Sequence, residues 1–285
     1  MKCISVSIVL FHNKMEQILN VIKPLLEIDW INVNIYLIDN SSNCNLKELN
    51  NISVRIKYIR TNENLGYGAA HNIAIQNSIK SNCNYHIILN PDIEFEPNVI
   101  KELYNFMELN REVGNVMPKI IYPDGSIQYL CKLLPTPFDL IFRRFFPFKT
   151  IIKNRTEKYE LRFTKYENIM KVPVTSGCFM FLRISRIIEC GSFDERYFMY
   201  LEDFDFCRRI EKNVFYPKVE VTHHYAKDSY RSIRMLFYHI RSAIQYFNKW
   251  GWFFDKKRET INTNALNSLN KQFNLKAAKQ RSKGL

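Results

Sequence analysis

Hydrophobic and polar positions change period several times along the first half of this chain. Ile, Val and Leu cluster from Cys3 to Phe11 as in a buried strand, and Met15, Ile18, Leu19, Ile22, Leu25 and Leu26 then recur near every 3.6 residues. A strand and then an amphipathic helix are predicted. Val33 to Asp39 predicts a second strand ending in a carboxylate, followed by the polar turn Asn40-Ser41-Ser42-Asn43, and Val54 to Arg60 predicts a third. Asn62 to Asn72 then opens a helix carried by Ile73, Ile75 and Ile79. Tyr85 to Leu89 is a short apolar run that must stop at Asn90-Pro91-Asp92, because Pro91 has no N–H for a sheet ladder. Pro97 to Glu112 predicts a helix with proline in its first turn, and Gly114 to Ile121 another strand. Strands alternating with helix-length segments predict an α/β fold, a mostly parallel, doubly wound, Rossmann-like sheet flanked by helices.

The second half is less regular. Tyr122-Pro123-Asp124-Gly125-Ser126 predicts a turn. From Tyr129 to about Lys171 aromatic and basic residues dominate, among them Phe138, Phe142, Arg143, Arg144, Phe145, Phe146 and Phe148. A flap, an acceptor-binding region, a membrane-surface patch and a packed excursion with a solvated cationic side all fit that composition. Val172 to Leu182 returns to strand character and Ile184 to Cys190 to a short helix. Gly191 to Arg209 carries Asp194, Glu195, Glu202, Asp203 and Asp205 among aromatics, with Glu202 and Asp203 expected at the start of a helix running to Lys212. Val214 to Thr222 predicts the last strand, ending in His223-His224. A long helix from about Tyr230 to Trp252 follows, and the segment from Lys271, with Lys276, Lys279, Arg281 and Lys283, reads as a disordered tail.

Composition narrows the class. The 285 residues are 46% hydrophobic and 14% aromatic, ample for a sizeable core, which excludes a disordered or fibrous protein. A formal charge of +13, from 41 Lys and Arg against 28 Asp and Glu, favours polyanionic partners. The seven cysteines are scattered without a Cys-x-x-Cys pair, which argues against zinc and against a disulfide framework. The apolar run at the amino end is too short for a signal peptide or a membrane span, so a reduced, cytosolic protein is expected.

Asp92 carries the first chemical expectation. A carboxylate just past a buried strand lies where open α/β sheets bind ligands, and it can hold a hard divalent cation that also touches phosphate oxygens; a turn aspartate satisfied by its own backbone is the plain alternative. Gly66 and Gly68 ahead of a helix allow backbone N–H groups close to a phosphate or ribose. The loop is a poor dinucleotide fingerprint, since it lacks a third glycine and Asp39 precedes it.

In this order and spacing the segments resemble the family 2 glycosyltransferases with a GT-A fold, and within them the bacterial rhamnosyltransferase-like branch. The landmarks are Ile-Val-Leu-Phe-His-Asn at 8–13, Leu-Ile-Asp-Asn-Ser-Ser at 37–42, Asn64-Leu-Gly66 to Asn72, and Leu-Asn-Pro-Asp at 89–92. Asp-Gly-Ser-Ile-Gln at 124–128, Ser-Gly-Cys-Phe-Met at 176–180 and Phe-Asp-Glu-Arg-Tyr-Phe-Met-Tyr-Leu-Glu-Asp at 193–203 complete them. The resemblance implies Asp39 as the acid that hydrogen-bonds the nucleotide base, the loop with Asn64, Gly66 and Asn72 as the wall of the nucleotide pocket, and Asp92 as a ligand of Mg²⁺ or Mn²⁺. Asn90 stands where the first acid of the family's Asp-x-Asp motif usually stands. Asp203 resembles the catalytic base with Glu202 beside it, and His223 a histidine that approaches metal and diphosphate, with His224 as its neighbour and rival; a core or edge histidine satisfied by backbone is the plain alternative.

The implied reaction is an inverting, single-displacement transfer from a nucleotide sugar, dTDP-rhamnose being the first choice and UDP-hexoses remaining open, to a lipid-linked or polysaccharide acceptor in cell-surface glycan synthesis. The implied organisation is a GT-A domain over 1–227, its nucleotide half about 1–121 and its acceptor half about 122–227, then a helical extension over 228–270 and a basic tail over 271–285. A nucleotidyltransferase is the rival enzyme, although Phe11-His12-Asn13-Lys14 lacks the glycines it would want after the first strand. A nucleic-acid or anionic-surface binder is the rival without catalysis, although acids clustered at strand ends would repel nucleic acid, which is therefore not expected as a partner. Arg143, Arg144, Lys149, Arg231, Arg234, Arg241 and Lys249 among aromatics also suggest contact with an inner-leaflet membrane surface.

Overall fold

The computed structural model describes residues 2–42, 46–140, 149–224 and 233–281. Cys44, Arg143, Arg144 and Arg231, the Lys149 side chain, and the side chains of Lys276, Lys279, Arg281 and Lys283 lie outside the described residues, so the expectations placed on them are not taken further.

The predicted first strands form a parallel block. β1 (Cys3–Leu10), β2 (Asn32–Asp39), β3 (Ile56–Arg60) and β4 (Tyr85–Leu89) pair in the spatial order β3-β2-β1-β4. Their interiors are nearly continuous Ile, Val and Leu because helices cover both faces. Each such side chain taken out of water contributes about 1.5–3 kcal/mol. α1 (Met15–Leu26) buries Ile18, Val21, Ile22 and Leu25, as its period foretold. α2 (Tyr67–Lys80) instead meets the sheet through a buried polar cluster. There Ser7 Oγ of β1 lies 2.6 Å from His71 Nδ1 and 2.8 Å from His86 Nε2, while Ser5 and Ser78 reach His86 Nδ1 at 2.8 and 2.9 Å. Burial pushes the His86 imidazole down to about 3, so it stays neutral, and the cluster is a hydrogen-bonded part of the core.

Beyond β4 the sheet is mixed. β5 (Ile93–Glu94), β6 (Asn115–Ile121), β7 (Met170–Val172), β8 (Phe179–Arg183) and β9 (Asn213–His223) extend the order as β4-β8-β6-β9-β5, with β7 beside β9. β8 runs antiparallel to both β4 and β6. The single strand expected over Val172 to Leu182 is divided: residues 173–178 leave the sheet between β7 and β8. Asn115 Nδ2 donates to Thr175 Oγ1 at 2.7 Å and Asn213 Nδ2 to the Pro173 carbonyl at 3.2 Å, fixing that excursion from below.

α3 (Pro97–Leu109) has its proline at the first turn. α4 (Pro137–Leu140), α5 (Lys149–Tyr159), α6 (Ile184–Cys190), α7 (Glu202–Ile210), α8 (Ile233–Trp250) and α9 (Lys256–Arg281) complete the chain. The stretch from Lys271, expected as a tail, is helical to Arg281. The C-terminal helices are bolted to α7 by buried charges: Arg208 of α7 donates two bonds to Asp255, at 2.6 and 2.8 Å, while Trp250 Nε1 and Lys249 Nζ donate to Asp205 at 2.8 and 2.7 Å. Lys249 is a half-buried cation with Asp194 as its second partner.

One disulfide corrects the cysteine reading. Cys3 of β1 and Cys83, just before β4, are bonded, and their thiols meet because the parallel pairing of these strands closes 80 residues of chain. Spacing alone carries no trace of that. Among the described residues Cys131, Cys178, Cys190 and Cys207 are free thiols.

Candidate active site

The register of the sheet gathers the expected residues at one edge. Leu89 pairs with Phe179, so Asn90 falls beside Cys178 and donates its N–H to the Cys178 carbonyl at 2.9 Å. Ile93 pairs with His223, which draws the end of β9 across the turn that holds Asp92. His223 Nε2 lies 3.2 Å from Asp92 Oδ1. His224 turns the other way, with Nε2 2.9 Å from exposed Glu94, and its N–H donates to the Asp92 carbonyl at 2.9 Å. Between the two histidines, it is His223 that meets Asp92.

Gln128 fixes the His223 ring. Its Nε2 donates to the His223 carbonyl at 2.9 Å, so its Oε1, 3.0 Å from Nδ1, is the acceptor for an Nδ1 proton. The Nε2 lone pair then faces the Asp92 carboxylate. Two electron-rich atoms at that separation need a proton or a cation between them, and a carboxylate oxygen with an imidazole nitrogen is a donor set that suits a divalent metal. Asp92 Oδ1 is buried and accepts no hydrogen bond. Among the described residues no third acid, histidine or cysteine joins them, so such a cation would take its remaining ligands from a bound ligand and water.

The acidic pair sits across the excursion between β7 and β8. Tyr200 and Leu201 both adopt left-handed backbone, with φ of 68° and 65°, and this strained turn starts α7 at Glu202 and Asp203. Asp203 Oδ2 accepts the Gly177 N–H at 3.1 Å and Oδ1 the Phe204 N–H at 2.9 Å. The Tyr67 hydroxyl bridges the halves, 2.7 Å from the Gly177 carbonyl and 3.0 Å from Asn90 Oδ1. Burial pushes the Cys178 thiol up to about 12, and Asp92 and Asp203 both add to that rise.

Burial raises the pKa of both acids, most for Glu202, which Asp203 pushes further. Glu202 is buried and its Oε2 has no hydrogen-bond partner, whereas Asp203 has two backbone donors and the Lys132 ammonium lowering its pKa. The proton therefore rests on Glu202 and the negative charge on Asp203. A group whose folded pKa is raised holds its proton longer in the native than in the unfolded chain, so stability falls as pH climbs above the ordinary carboxylate value of about 4.3. Glu202→Gln removes that slope. Urea midpoints across pH should match wild type in acid and exceed it at neutral pH; parallel curves would place the proton elsewhere.

The turn after β2 holds the loop before α2. Asn40 Nδ2 donates to the Gly66 carbonyl at 3.0 Å, and Asn64 Oδ1 accepts the Gly66 N–H at 3.0 Å. Asp39 is fully buried, with Oδ1 accepting the Ser41 N–H at 2.9 Å and Oδ2 the Tyr58 hydroxyl at 2.5 Å. Asn72 is buried and its side chain meets the acidic segment: its amide donates to the Phe193 carbonyl at 2.9 Å and to Glu195 at 2.8 Å, and accepts the Phe193 N–H at 3.0 Å. It clamps the start of the acidic segment to α2.

Tyr67, Lys132 and Asn40 were absent from the expected site. Asn40 could have been found from its place beside Asp39; Lys132 lies in the irregular basic stretch, where no period distinguishes it.

With this geometry in hand, comparison with known proteins agrees with the fold. The family model described as Glycosyl transferase family 2 matches residues 7–183. An N-acetylglucosaminyl-diphospho-decaprenol L-rhamnosyltransferase of Mycobacterium tuberculosis is 30% identical over 193 residues, 62% of this chain and 61% of that protein. A low-salt glycan biosynthesis hexosyltransferase of Haloferax volcanii is 27% identical over 177 residues, 62% of this chain and 52% of its own length. The chain thus spans between half and two thirds of these curated relatives. Among solved structures, S. aureus TarS aligns with a TM-score of 0.57 at 13% identity, over 94% of this chain and 43% of that one. GalNAc-T7, crystallised with UDP, GalNAc and Mn²⁺, aligns with a TM-score of 0.54 at 19% identity, over 79% of this chain and 44% of that one.

Proposed function

The chain belongs to glycosyltransferase family 2, and from that premise we propose that it transfers a sugar from a nucleotide-sugar donor to an acceptor hydroxyl with inversion at the anomeric carbon. The observation that carries the proposal is the chain of contacts that joins the two groups of residues: His223 meets Asp92, the Tyr67 hydroxyl links Asn90 of the same turn to the Gly177 carbonyl, and Asp203 accepts the Gly177 N–H.

Each residue then has a task. The Asn64–Gly66 loop and the Asp39 turn wall the nucleotide, and Asn90 and Tyr67 line the floor beneath its diphosphate. Asp92 and His223, oriented by Gln128, would hold a divalent cation, which when bound offsets charge on the departing diphosphate. Asp203 removes the acceptor proton as the hydroxyl attacks, because an alcohol is too weak a nucleophile without it. Protonated Glu202 adds no second charge beside Asp203, and Lys132 keeps Asp203 ionised. Attack from the Asp203 side, opposite the leaving diphosphate, is what inverts the centre.

For the donor, dTDP-rhamnose is the first candidate and a UDP-hexose the second, in line with the names of the two curated relatives. A lipid-linked acceptor is proposed on the same ground, since one relative is named for a decaprenol-linked substrate. Within this reading residues 1–227 form the catalytic domain and the helices after it an extension that braces α7.

The test is thermal stability with dTDP, UDP and their sugar conjugates, with and without Mn²⁺, on wild type and Asp92→Ala. A nucleotide present at 100 times its dissociation constant adds about 2.7 kcal/mol, a readily measured rise in Tm. The rise should need the metal, and Asp92→Ala should lose the metal-dependent part. No rise with any nucleotide would remove the proposal; a clear rise with DNA instead would favour the basic-surface binder.

A further inference from the structure

α8 has two apolar faces and buries only one. Ala243, Tyr246 and Phe247 are wholly buried against the domain, and Ser242 Oγ donates to the Met199 carbonyl at 2.7 Å. Ile233, Phe237, Ile240 and Ile244 fall on a second stripe, within about 60° of one another at 100° per residue. Ile233 is 87% exposed, Phe237 62% and Ile244 41%. Exposed Arg234 and Arg241 lie seven positions apart, so both border this stripe on the same side. A helix packed on one face has no need of a second apolar row in water, and scattered surface leucines do not line up in this way.

We infer that this stripe of α8 docks on an anionic lipid bilayer. Ile233, Phe237 and Ile244 enter the boundary of the acyl chains, and Arg234 and Arg241 sit at the level of the acidic headgroups. The charge matches, since the chain is formally +13. The seating is peripheral, because among the described residues no helix is long and apolar enough to cross a membrane. The helix is also joined to the catalytic segment. The Phe198 and Tyr238 rings meet at a tilt of 36° with centroids 4.7 Å apart, Lys249 bonds Asp194 at 2.8 Å, and Ser242 holds Met199, with Phe198, Asp194 and Met199 all within ten residues of Asp203. Docking α8 therefore brings the acidic end of the cleft to the lipid surface, where an acceptor on a lipid carrier presents its hydroxyl.

The choice of a membrane as occupant rests on the proposed lipid-linked acceptor, and the experiment separates the two. The whole chain is sedimented at low salt with vesicles of phosphatidylcholine alone or mixed with phosphatidylglycerol, while the nucleotide-induced rise in Tm is recorded on the same samples. Wild type should bind the mixed vesicles and largely ignore the neutral ones. The double variant Ile233→Ser with Phe237→Ser should lose about tenfold or more of that binding, and Arg234→Gln with Arg241→Gln should weaken it most at low salt. Val54→Ser, at a residue 98% exposed just before the edge strand β3, should change nothing. All variants should keep the wild-type response to nucleotide. Vesicle binding unaffected by the α8 variants overturns the inference, as does no binding by wild type. A wild-type dimer that the Ile233→Ser/Phe237→Ser variant dissociates, without vesicle binding, would assign the stripe to a second copy of the chain. Vesicle binding without any nucleotide response would keep the docking face and remove the transfer reaction.

Discussion

Asp203→Asn is expected to lower kcat by about 10²–10⁴ while leaving nucleotide binding intact, the loss typical of removing a general base. The amide keeps the size of the side chain, and its oxygen can still accept the Gly177 N–H that Asp203 Oδ2 takes at 3.1 Å, so the segment from 173 to 178 stays in place. Only the ability to take a proton is gone. The pH profile supplies a second readout. Burial raises the Asp203 pKa, and a base works in its ionised form, so the wild-type rate should fall as pH drops through a value above the ordinary aspartate range of about 3.9. That acid limb should vanish from the residual activity of Asp203→Asn. Glu202→Gln, which replaces a group already neutral, should retain most of the rate. A Glu202→Gln enzyme as crippled as Asp203→Asn would exchange the two roles, and an Asp203→Asn enzyme at near wild-type rate would end the assignment of a base here. Product stereochemistry, read by NMR from wild type, should show inversion.

Much of this site could be read from local pattern. Asn90-Pro91-Asp92 marks a strand end because proline cannot donate to a ladder, and β4 does end at Leu89. Ile184 to Cys190 forms a helix over the expected residues, and α1 follows its apolar period. Elements whose cause lies within a few residues were legible. Those caused by distant chain were not: Gln128 meets His223 across 95 positions, Asn72 meets Phe193 across 121, and Cys3 meets Cys83 across 80. The break between β7 and β8 has the same origin, since Asn115 and Asn213 hold residues that would otherwise read as one strand. The helix at α2 was expected from Ile73, Ile75 and Ile79, but not the polar cluster under it, because Ser78, His71 and Asn72 occupy buried positions that isoleucine or leucine would usually fill.

Gly66→Ala is expected to destabilise the protein by about 2–5 kcal/mol and to abolish nucleotide binding with it. Two costs combine. Gly66 has φ of +89°, where an L-residue loses about 1–2 kcal/mol. A methyl group there would also stand 2.3 Å from the Phe198 carbonyl oxygen, a backbone atom with no flexible end to swing away. Phe198 must retreat, and with it goes the hydrogen bond from Tyr67 N–H to that carbonyl, 2.9 Å in the native chain, a further loss of about 1–3 kcal/mol if left unpaired. The consequence reaches both halves of the cleft. Phe198 lies in the turn that starts α7 at Glu202 and Asp203, and the Tyr67 hydroxyl rests on Gly177, so one methyl displaces the acidic pair and the nucleotide loop together. Gly125→Ala is the matched control: its φ is +80°, but an added methyl meets nothing within 4 Å. Urea midpoints should therefore drop modestly for Gly125→Ala, with the nucleotide response kept, and far more for Gly66→Ala. Equal drops would mean that left-handed strain alone makes glycine necessary at 66, and that the loop is free to move relative to Phe198.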